Sequence, residues 1–390
     1  MAESRGASQS GKMQYDVAVV GLGGMGSAII AKAAKRGASV IGLEQFTRGH
    51  DLGSSSGKSR MIRKAYFENP AYVPLLLRAY DLWRELERET GQELLRVTGL
   101  LMVGKEDCEI IAGATRAARE HSLPFESFTA PQIRSRFPML KVLDEEMGVY
   151  EPDGGVLDPE RAICAHLNVA EAAGAQTRFE AAMESWEPTA AGFTIRLANG
   201  TTVTTRALVL SLGAWFKNVL EKLGVTVRVQ RNVQTWFESA GDVYAAPNFP
   251  PFLLDREGLP APLYGFPDFG DGVKAAFHSY GELTDAANFN RMVDATRDIE
   301  PIMRAMENWM PGAATALRSA KPCLYTITPD GHFVVDRHPE HPRLVLCGGF
   351  SGHGFKFAPV IGEIGADLAL EQGTRHEIEF LSLRRFAQHE

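Results

Sequence analysis

Three apolar runs, each closing on a small-residue turn, lie far apart along the chain. Tyr15-Asp16-Val17-Ala18-Val19-Val20 leads into Gly21-Leu22-Gly23-Gly24-Met25-Gly26. Ala207 to Leu212 ends at Gly213-Ala214-Trp215, and Leu344 to Cys347 ends at Gly348-Gly349-Phe350. Runs of this length, rich in β-branched residues, predict strands buried on both faces of a parallel sheet. Helical spacing appears elsewhere. Between Pro70 and Glu89, the residues Val73, Leu76, Leu77, Tyr80, Trp83 and Leu86 recur at intervals that predict an amphipathic helix. Pro159 to Ala173 predicts another, with Asp158 as its N-cap. Ala198-Asn199-Gly200-Thr201 marks a hairpin between alternating stretches. From Val227-Arg228-Val229-Gln230 the alternation continues, amid many Pro, Gly and aromatic residues, and predicts an antiparallel sheet over about 227–329. The spacing of the glycine-ended strands therefore predicts one α/β domain threaded by an inserted one.

The first glycine turn carries chemistry. It is followed by the helix-forming Ser27 to Ala34 and by a second apolar strand, Ala38 to Leu43, that ends in Glu44. This is a βαβ unit of about 30 residues bearing a dinucleotide fingerprint. Gly21, Gly23 and Gly26 let the backbone turn and approach a pyrophosphate at the helix N-terminus, with Met25 inside the turn. Glu44 is placed to accept hydrogen bonds from ribose hydroxyls.

Composition narrows the remaining classes. The chain has 390 residues, 45% apolar and 23% charged, so it can bury a large core in two domains. A net charge of −7 without a basic run argues against a nucleic-acid surface. The four cysteines, Cys108, Cys164, Cys323 and Cys347, are too scattered for a disulfide framework or a zinc site. No apolar stretch predicts a membrane span, and neither end reads as a targeting signal. A cytoplasmic location is expected.

Several motifs resemble one family. Gly53-Ser54-Ser55-Ser56-Gly57-Lys58-Ser59-Arg60-Met61-Ile62-Arg63-Lys64-Ala65-Tyr66, Tyr264-Gly265-Phe266-Pro267, Cys323-Leu324-Tyr325-Thr326, Asp336-Arg337-His338-Pro339 and Gly349-Phe350-Ser351-Gly352-His353-Gly354-Phe355-Lys356 are similar to the monomeric sarcosine oxidase family. That family also holds N-methyltryptophan and L-pipecolate oxidases. The resemblance implies an α/β fold: a glutathione-reductase-type FAD-binding Rossmann domain with an inserted antiparallel or mixed-sheet substrate domain. It assigns 13–94, 156–226 and 330–386 to the first, 95–155 and 227–329 to the second, and leaves 1–12 as a flexible tail. It also implies oxidation of a secondary amino acid by hydride transfer to FAD, hydrolysis of the resulting imine, and reduction of O2 to hydrogen peroxide by a monomer.

The same resemblance implies roles for individual residues. Cys323 matches a cysteine that tethers the flavin; on residue chemistry alone, a lone cysteine beside Pro322 would be inert. Lys274 matches a lysine that activates oxygen, where a fixed ammonium stabilises developing superoxide. Arg63 and Lys356 match cations that hold the substrate carboxylate, Arg63 through its planar fork. Lys356 also falls where positive charge favours reduced flavin. Arg60 matches an arginine close to the flavin. His278, Tyr264, Tyr325 and His353 are expected to line the substrate pocket, and Ser54, Ser56, Gly352 and Gly354 to contact the cofactor. Cys108, Cys164 and Cys347 are expected to be buried filler. One position departs from the pattern: Ser56 stands where the family has a histidine facing the flavin, with Lys58 nearby as a replacement charge. Two other functions fit the motifs less well: a deglycating oxidase of fructosyl amino acids, and a non-catalytic flavin-binding subunit of a larger complex.

Overall fold

The protein is seen in a computed structural model that describes residues 14–371 and 373–387; the tail expected over 1–12 lies outside the described residues. The strand Tyr15–Val20 has five of its six side chains buried. It pairs in parallel with Val40–Leu43 on one side and Thr202–Leu210 on the other. Gln176–Arg178 and Leu344–Gly348 extend the parallel sheet outward. With the antiparallel strands Val334–Arg337, Phe193–Leu197 and Met183–Pro188 it reaches eight strands. All three glycine-ended runs are thus neighbours in one sheet, as their patterning predicts.

The helix Gly24–Lys35 follows the first strand and packs between Pro159–Ala172 and Ala358–Ala369. Two glycines make the crossover possible. Gly21 has φ +87°, and a Cβ there would stand 2.2 Å from the Ser211 carbonyl oxygen. At Gly26 a Cβ would stand 1.8 Å from the Gly21 carbonyl, so only glycine lets the helix lie this close to the strand. Asp158 caps its helix by accepting from the Arg161 N–H, as expected. The Val73–Thr90 helix is preceded by a 3₁₀ turn at Pro70–Tyr72 and ends at Gly91. Leu77, expected on its apolar face, is exposed; Leu75 is buried in its place.

A nine-stranded sheet forms the second layer. It is mixed rather than purely antiparallel, because Phe252–Asp255 runs parallel to Leu100–Lys105. Its longest pairing joins Arg228–Glu238 to Ala316–Ile327. The alternation read at the start of that strand does not become alternate exposure: Val229 to Phe237 are all buried. Polar members of this run are satisfied inside. Arg231 donates to both Asp298 carboxylate oxygens, at 3.0 and 2.9 Å, and to the Asn290 and Met292 carbonyls. Burial pushes the Asp298 carboxyl up, but hydrogen bonds from Arg231 and Arg297 outweigh that and hold it below its usual range. A small antiparallel sheet of Arg60–Ile62, Gly155–Leu157 and Leu95–Val97 joins the segments that lead from one large sheet to the other. Among the described residues no helix is long and apolar enough to cross a membrane.

The Arg231–Asp298 pair, with the Asn290 and Met292 carbonyls, ties the 290–298 segment to the Arg228–Glu238 strand. Arg231→Met removes the buried partner of Asp298 and leaves it only the half-exposed Arg297, a change at the lower end of the about 3–5 kcal/mol cost of breaking a buried pair. Guanidinium unfolding is expected to show a loss of that size; a loss under about 1 kcal/mol would mean the pair is not a structural anchor.

Candidate active site

A cavity of about 670 Å³ runs from the first glycine turn to the nine-stranded sheet. Of the residues singled out from sequence, Gly21, Gly23, Met25, Glu44, Ser54, Arg60, Arg63, Tyr264, His278, Cys323, Tyr325, Gly352, His353, Gly354 and Lys356 line it. Three do not. Gly26 lies behind the turn, where it permits the helix packing already described. Ser56 is buried behind the wall, its hydroxyl nearest the Asp51 carbonyl. Lys274 sits one layer back, beneath the loop that carries Ser59 and Arg60.

The dinucleotide end fits its expected ligand. The Gly24–Lys35 helix begins without a cap from its own N-cap residue and without an acidic residue in its first turn; the Gly24 N–H reaches Ser55 Oγ at 3.3 Å, and the positive end of the helix suits an anion. Glu44 is oriented by the Leu22 N–H on Oε2, at 2.8 Å, and the Phe46 N–H on Oε1, at 3.1 Å. Each oxygen keeps a lone pair for a ribose hydroxyl. Trp186 and His338 line the far end.

The opposite end is a buried charge cluster. Arg63 is sandwiched between the rings of Tyr66 and Phe67, at 4.3 and 4.1 Å. Its Nη2 donates to both oxygens of Glu68 at 2.7 Å, and its Nη1 donates to the Ala65 carbonyl. Burial acts to raise the Glu68 carboxyl, but Arg63, His353 and Lys356 hold it down at about 2. Lys356 donates to the His353 carbonyl at 2.7 Å, the one acceptor its ammonium has among the described residues. Burial, then Arg63, brings its pKa down to about 7. Burial also lowers His278 to about 4 and His353 to about 3, so both imidazoles are neutral at physiological pH. His353 is fully engaged, its Nδ1 with the Tyr66 hydroxyl at 2.6 Å and its Nε2 with the Gly331 carbonyl at 3.1 Å. It is a fixed wall, unavailable for proton transfer. Burial raises Tyr264 to about 12, so its phenol keeps its proton.

Lys274 uses all three of its N–H donors, on the carbonyls of Gly57 and Ser59 at 2.7 and 2.9 Å and on the Ser59 hydroxyl at 3.2 Å. Burial, then the nearby Arg60 charge, pulls its ammonium well below the ordinary lysine range. Lys58 does not replace a charge beside Ser56: its side chain is exposed and pairs with Asp271. Of the three cysteines expected to be buried filler, only Cys347 is buried, and burial lifts its thiol to about 12. Cys108 and Cys164 are half-buried; Cys108 occupies the N-cap of the Glu109–Glu120 helix, where part of its surface stays open.

Four residues escaped the sequence reading. Glu68 lies only five positions beyond Arg63, and a lone acid just past the end of that basic motif is the available signal. Glu160 accepts from the Gly57 and Lys58 N–H groups, at 2.6 and 3.2 Å, and so shapes the loop beneath which Lys274 sits. Glu151 accepts from the Lys64 and Ala65 N–H groups and fixes the segment after Arg63. Gln234 lines the cavity beside Arg60. The last three act across the fold, and no local pattern marks them.

The sequence matches the family described as FAD dependent oxidoreductase over residues 16–368. It is 42% identical over 380 residues to the monomeric sarcosine oxidase of Streptomyces avermitilis, covering 96% of this chain and 98% of the relative. The N-methyl-L-tryptophan oxidase of Yersinia pestis is 33% identical, with 96% and 100% covered. Among solved structures, the open form of NikD, an amino acid oxidase essential for nikkomycin biosynthesis, superposes with a TM-score of 0.83. That pair shares 26% identity over 95% of this chain and 98% of the other.

In the charge cluster only Lys356 is placed to titrate near neutrality. Its charge is present below about pH 7 and lost above it. Affinity for acetate, measured calorimetrically, is therefore expected to fall about tenfold from pH 6 to pH 8, following the protonated fraction. Lys356→Met should flatten that profile; a wild-type affinity that is flat or rises with pH would contradict the assignment.

Proposed function

This chain belongs to the FAD dependent oxidoreductase family, and from that premise we propose that it oxidises secondary amino acids, N-methylated ones such as sarcosine or cyclic ones such as pipecolate and proline. Oxygen is the electron acceptor and hydrogen peroxide the product. The observation that carries this reading is the charge count of the inner chamber. Glu68 pairs with Arg63, while Lys356, charged below about pH 7, has no carboxylate partner among the described residues, so this end of the chamber has a place for one substrate carboxylate. A small amino acid brings one such group.

The bound FAD supplies a hydride acceptor. Everything else falls to the protein. An incoming carboxylate takes the free donors of Lys356 and competes with Glu68 for the Arg63 fork. Surrounding cations disfavour a protonated substrate amine, since like charge destabilises the charged form. Neutral His278 and the protonated phenol of Tyr264 add no further charge. The nitrogen lone pair is thereby available to drive hydride loss from the adjacent carbon, giving an imine that water hydrolyses. Arg60 borders the same chamber. Lys274, behind it, is the fixed cation that we assign to oxygen reduction.

We also assign the flavin tether to Cys323, which is buried on the Ala316–Ile327 strand and lines the cavity. The sheet membership of the strands supports the two-domain division. Every strand of the eight-stranded sheet lies within 13–94, 156–226 or 330–386, and every strand of the nine-stranded sheet within 95–155 or 227–329. The first set forms the FAD-binding domain in this reading, the second the substrate domain. The four unpaired cysteines support a reducing cytoplasm, and a monomeric state is carried over from the relatives named monomeric sarcosine oxidase.

One set of assays on the purified protein tests this. The protein should show a flavin absorbance spectrum, stay yellow after acid precipitation, and release its flavin on precipitation when Cys323 is replaced by Ala. It should produce peroxide with at least one of sarcosine, pipecolate and N-methyltryptophan, and none with the decarboxylated amine. Flavin-free protein, or peroxide from fructosyl-glycine alone, would overturn the functional reading; flavin lost from wild type on precipitation would remove only the tether.

A further inference from the structure

Gln234 stands near the middle of the Arg228–Glu238 strand with 1% of its surface exposed, and it lines the cavity. Its Oε1 accepts from Arg60 Nη1 at 3.4 Å. That contact settles which end of the amide is which, because the alternative would aim an N–H at a guanidinium. The group left over is therefore the donor. Among the described residues, Nε2 has no hydrogen-bond partner. The facing loop packs directly on this amide: a Cβ at Gly57, where φ is +107°, would stand 2.2 Å from Gln234 Oε1.

An unpaired buried donor costs free energy until something accepts from it. The geometry of the sheet indicates what that is. In register, Gln234 lies opposite Lys321, and Cys323 lies opposite Asn232, two residues earlier on the same strand. Lys274 lies opposite Trp236, two residues later. Side chains two apart on a strand share a face. Gln234 therefore occupies the stretch of sheet between the thiol assigned to the flavin tether and the lysine assigned to oxygen reduction.

We propose that Gln234 is a further cofactor-contacting residue, its Nε2 donating a hydrogen bond to a heteroatom of the flavin ring and making the cofactor easier to reduce. The inference rests on the flavin reading above. A donor held in place by Arg60 stabilises the electron-rich reduced ring more than the oxidised one. The arrangement replaces no charge; it adds a neutral dipole at a wall already crowded with cations.

The test is the midpoint potential of the purified flavoprotein, measured by equilibration with a redox dye. Gln234→Met keeps the length and burial but removes the donor. It should shift the preference for reduced flavin about tenfold downward, or about 30 mV for a two-electron couple. Gln234→Glu places an acceptor at the same spot and should shift the potential further in the same direction, and it serves alone if the Met variant does not fold. Flavin-free Gln234→Met, from riboflavin-starved cells, should melt no lower than flavin-free wild type, because the orphan donor is gone. Variants that carry flavin at the wild-type potential overturn the inference and leave the flavin reading intact. Wild-type protein that carries no flavin removes the reading itself.

Discussion

Removing positive charge from water is costly unless hydrogen bonds or counter-charges compensate it. This structure places Arg63, Lys274 and Lys356 almost wholly out of solvent, with Arg60 half-buried beside them, around one cavity. Much of the surrounding architecture reads as compensation for that concentration. Lys274 is satisfied by three acceptors of the Gly57–Ser59 loop, and Lys356 by the His353 carbonyl. Arg63 is satisfied by Glu68 and by two aromatic faces. Among the described residues, Glu68 is the one carboxylate in direct contact with these cations, and in the function proposed above the unpaired charge is assigned to holding an anionic substrate.

The compensating loops need holding in turn. Glu160, in the first turn of the Pro159–Ala172 helix, grips the Gly57–Lys58 backbone. Glu151, from the nine-stranded sheet, grips Lys64 and Ala65. Trp83 donates to the Lys356 carbonyl from the long helix that follows this segment. Each support thus comes from a different part of the fold, and the cavity depends on the two sheets and the connecting helices holding their places together. Gln234 belongs to the same logic: it lines the cavity, its Oε1 held by Arg60 and its buried Nε2 without a partner among the described residues.

How much of this is legible in sequence follows from range. The glycine-ended strands, the βαβ turn and the capped helix at Asp158 are local, and the structure reproduces them because each depends on neighbours a few residues away. The resemblance to known motifs picks out Arg63, Lys356, Cys323 and other residues that line the cavity. Contacts spanning 86 to 174 residues are invisible: Glu160 to Gly57, Glu151 to Ala65, Arg60 to Gln234. The error at Leu77 has a different origin. Three leucines run in succession at 75–77, so the apolar pattern leaves open which neighbour of Leu76 shares the buried face, and packing selects Leu75. Alternation alone predicts an antiparallel sheet; the mixed sheet that the resemblance also implies depends on parallel pairing with Leu100–Lys105, a distant segment.

The account assigns the buried cations to different tasks: Arg63 and Lys356 to substrate, Lys274 to oxygen. Stopped-flow measurement of Lys274→Met tests that division most directly. Substrate oxidation under anaerobic conditions should proceed within about tenfold of the wild-type rate, because it develops no superoxide-like anion. The oxygen-consuming half should slow by about 10²–10³, the usual cost of removing one preorganised electrostatic stabiliser. Equal slowing of both halves, or an unchanged oxygen-consuming half, would contradict the assignment.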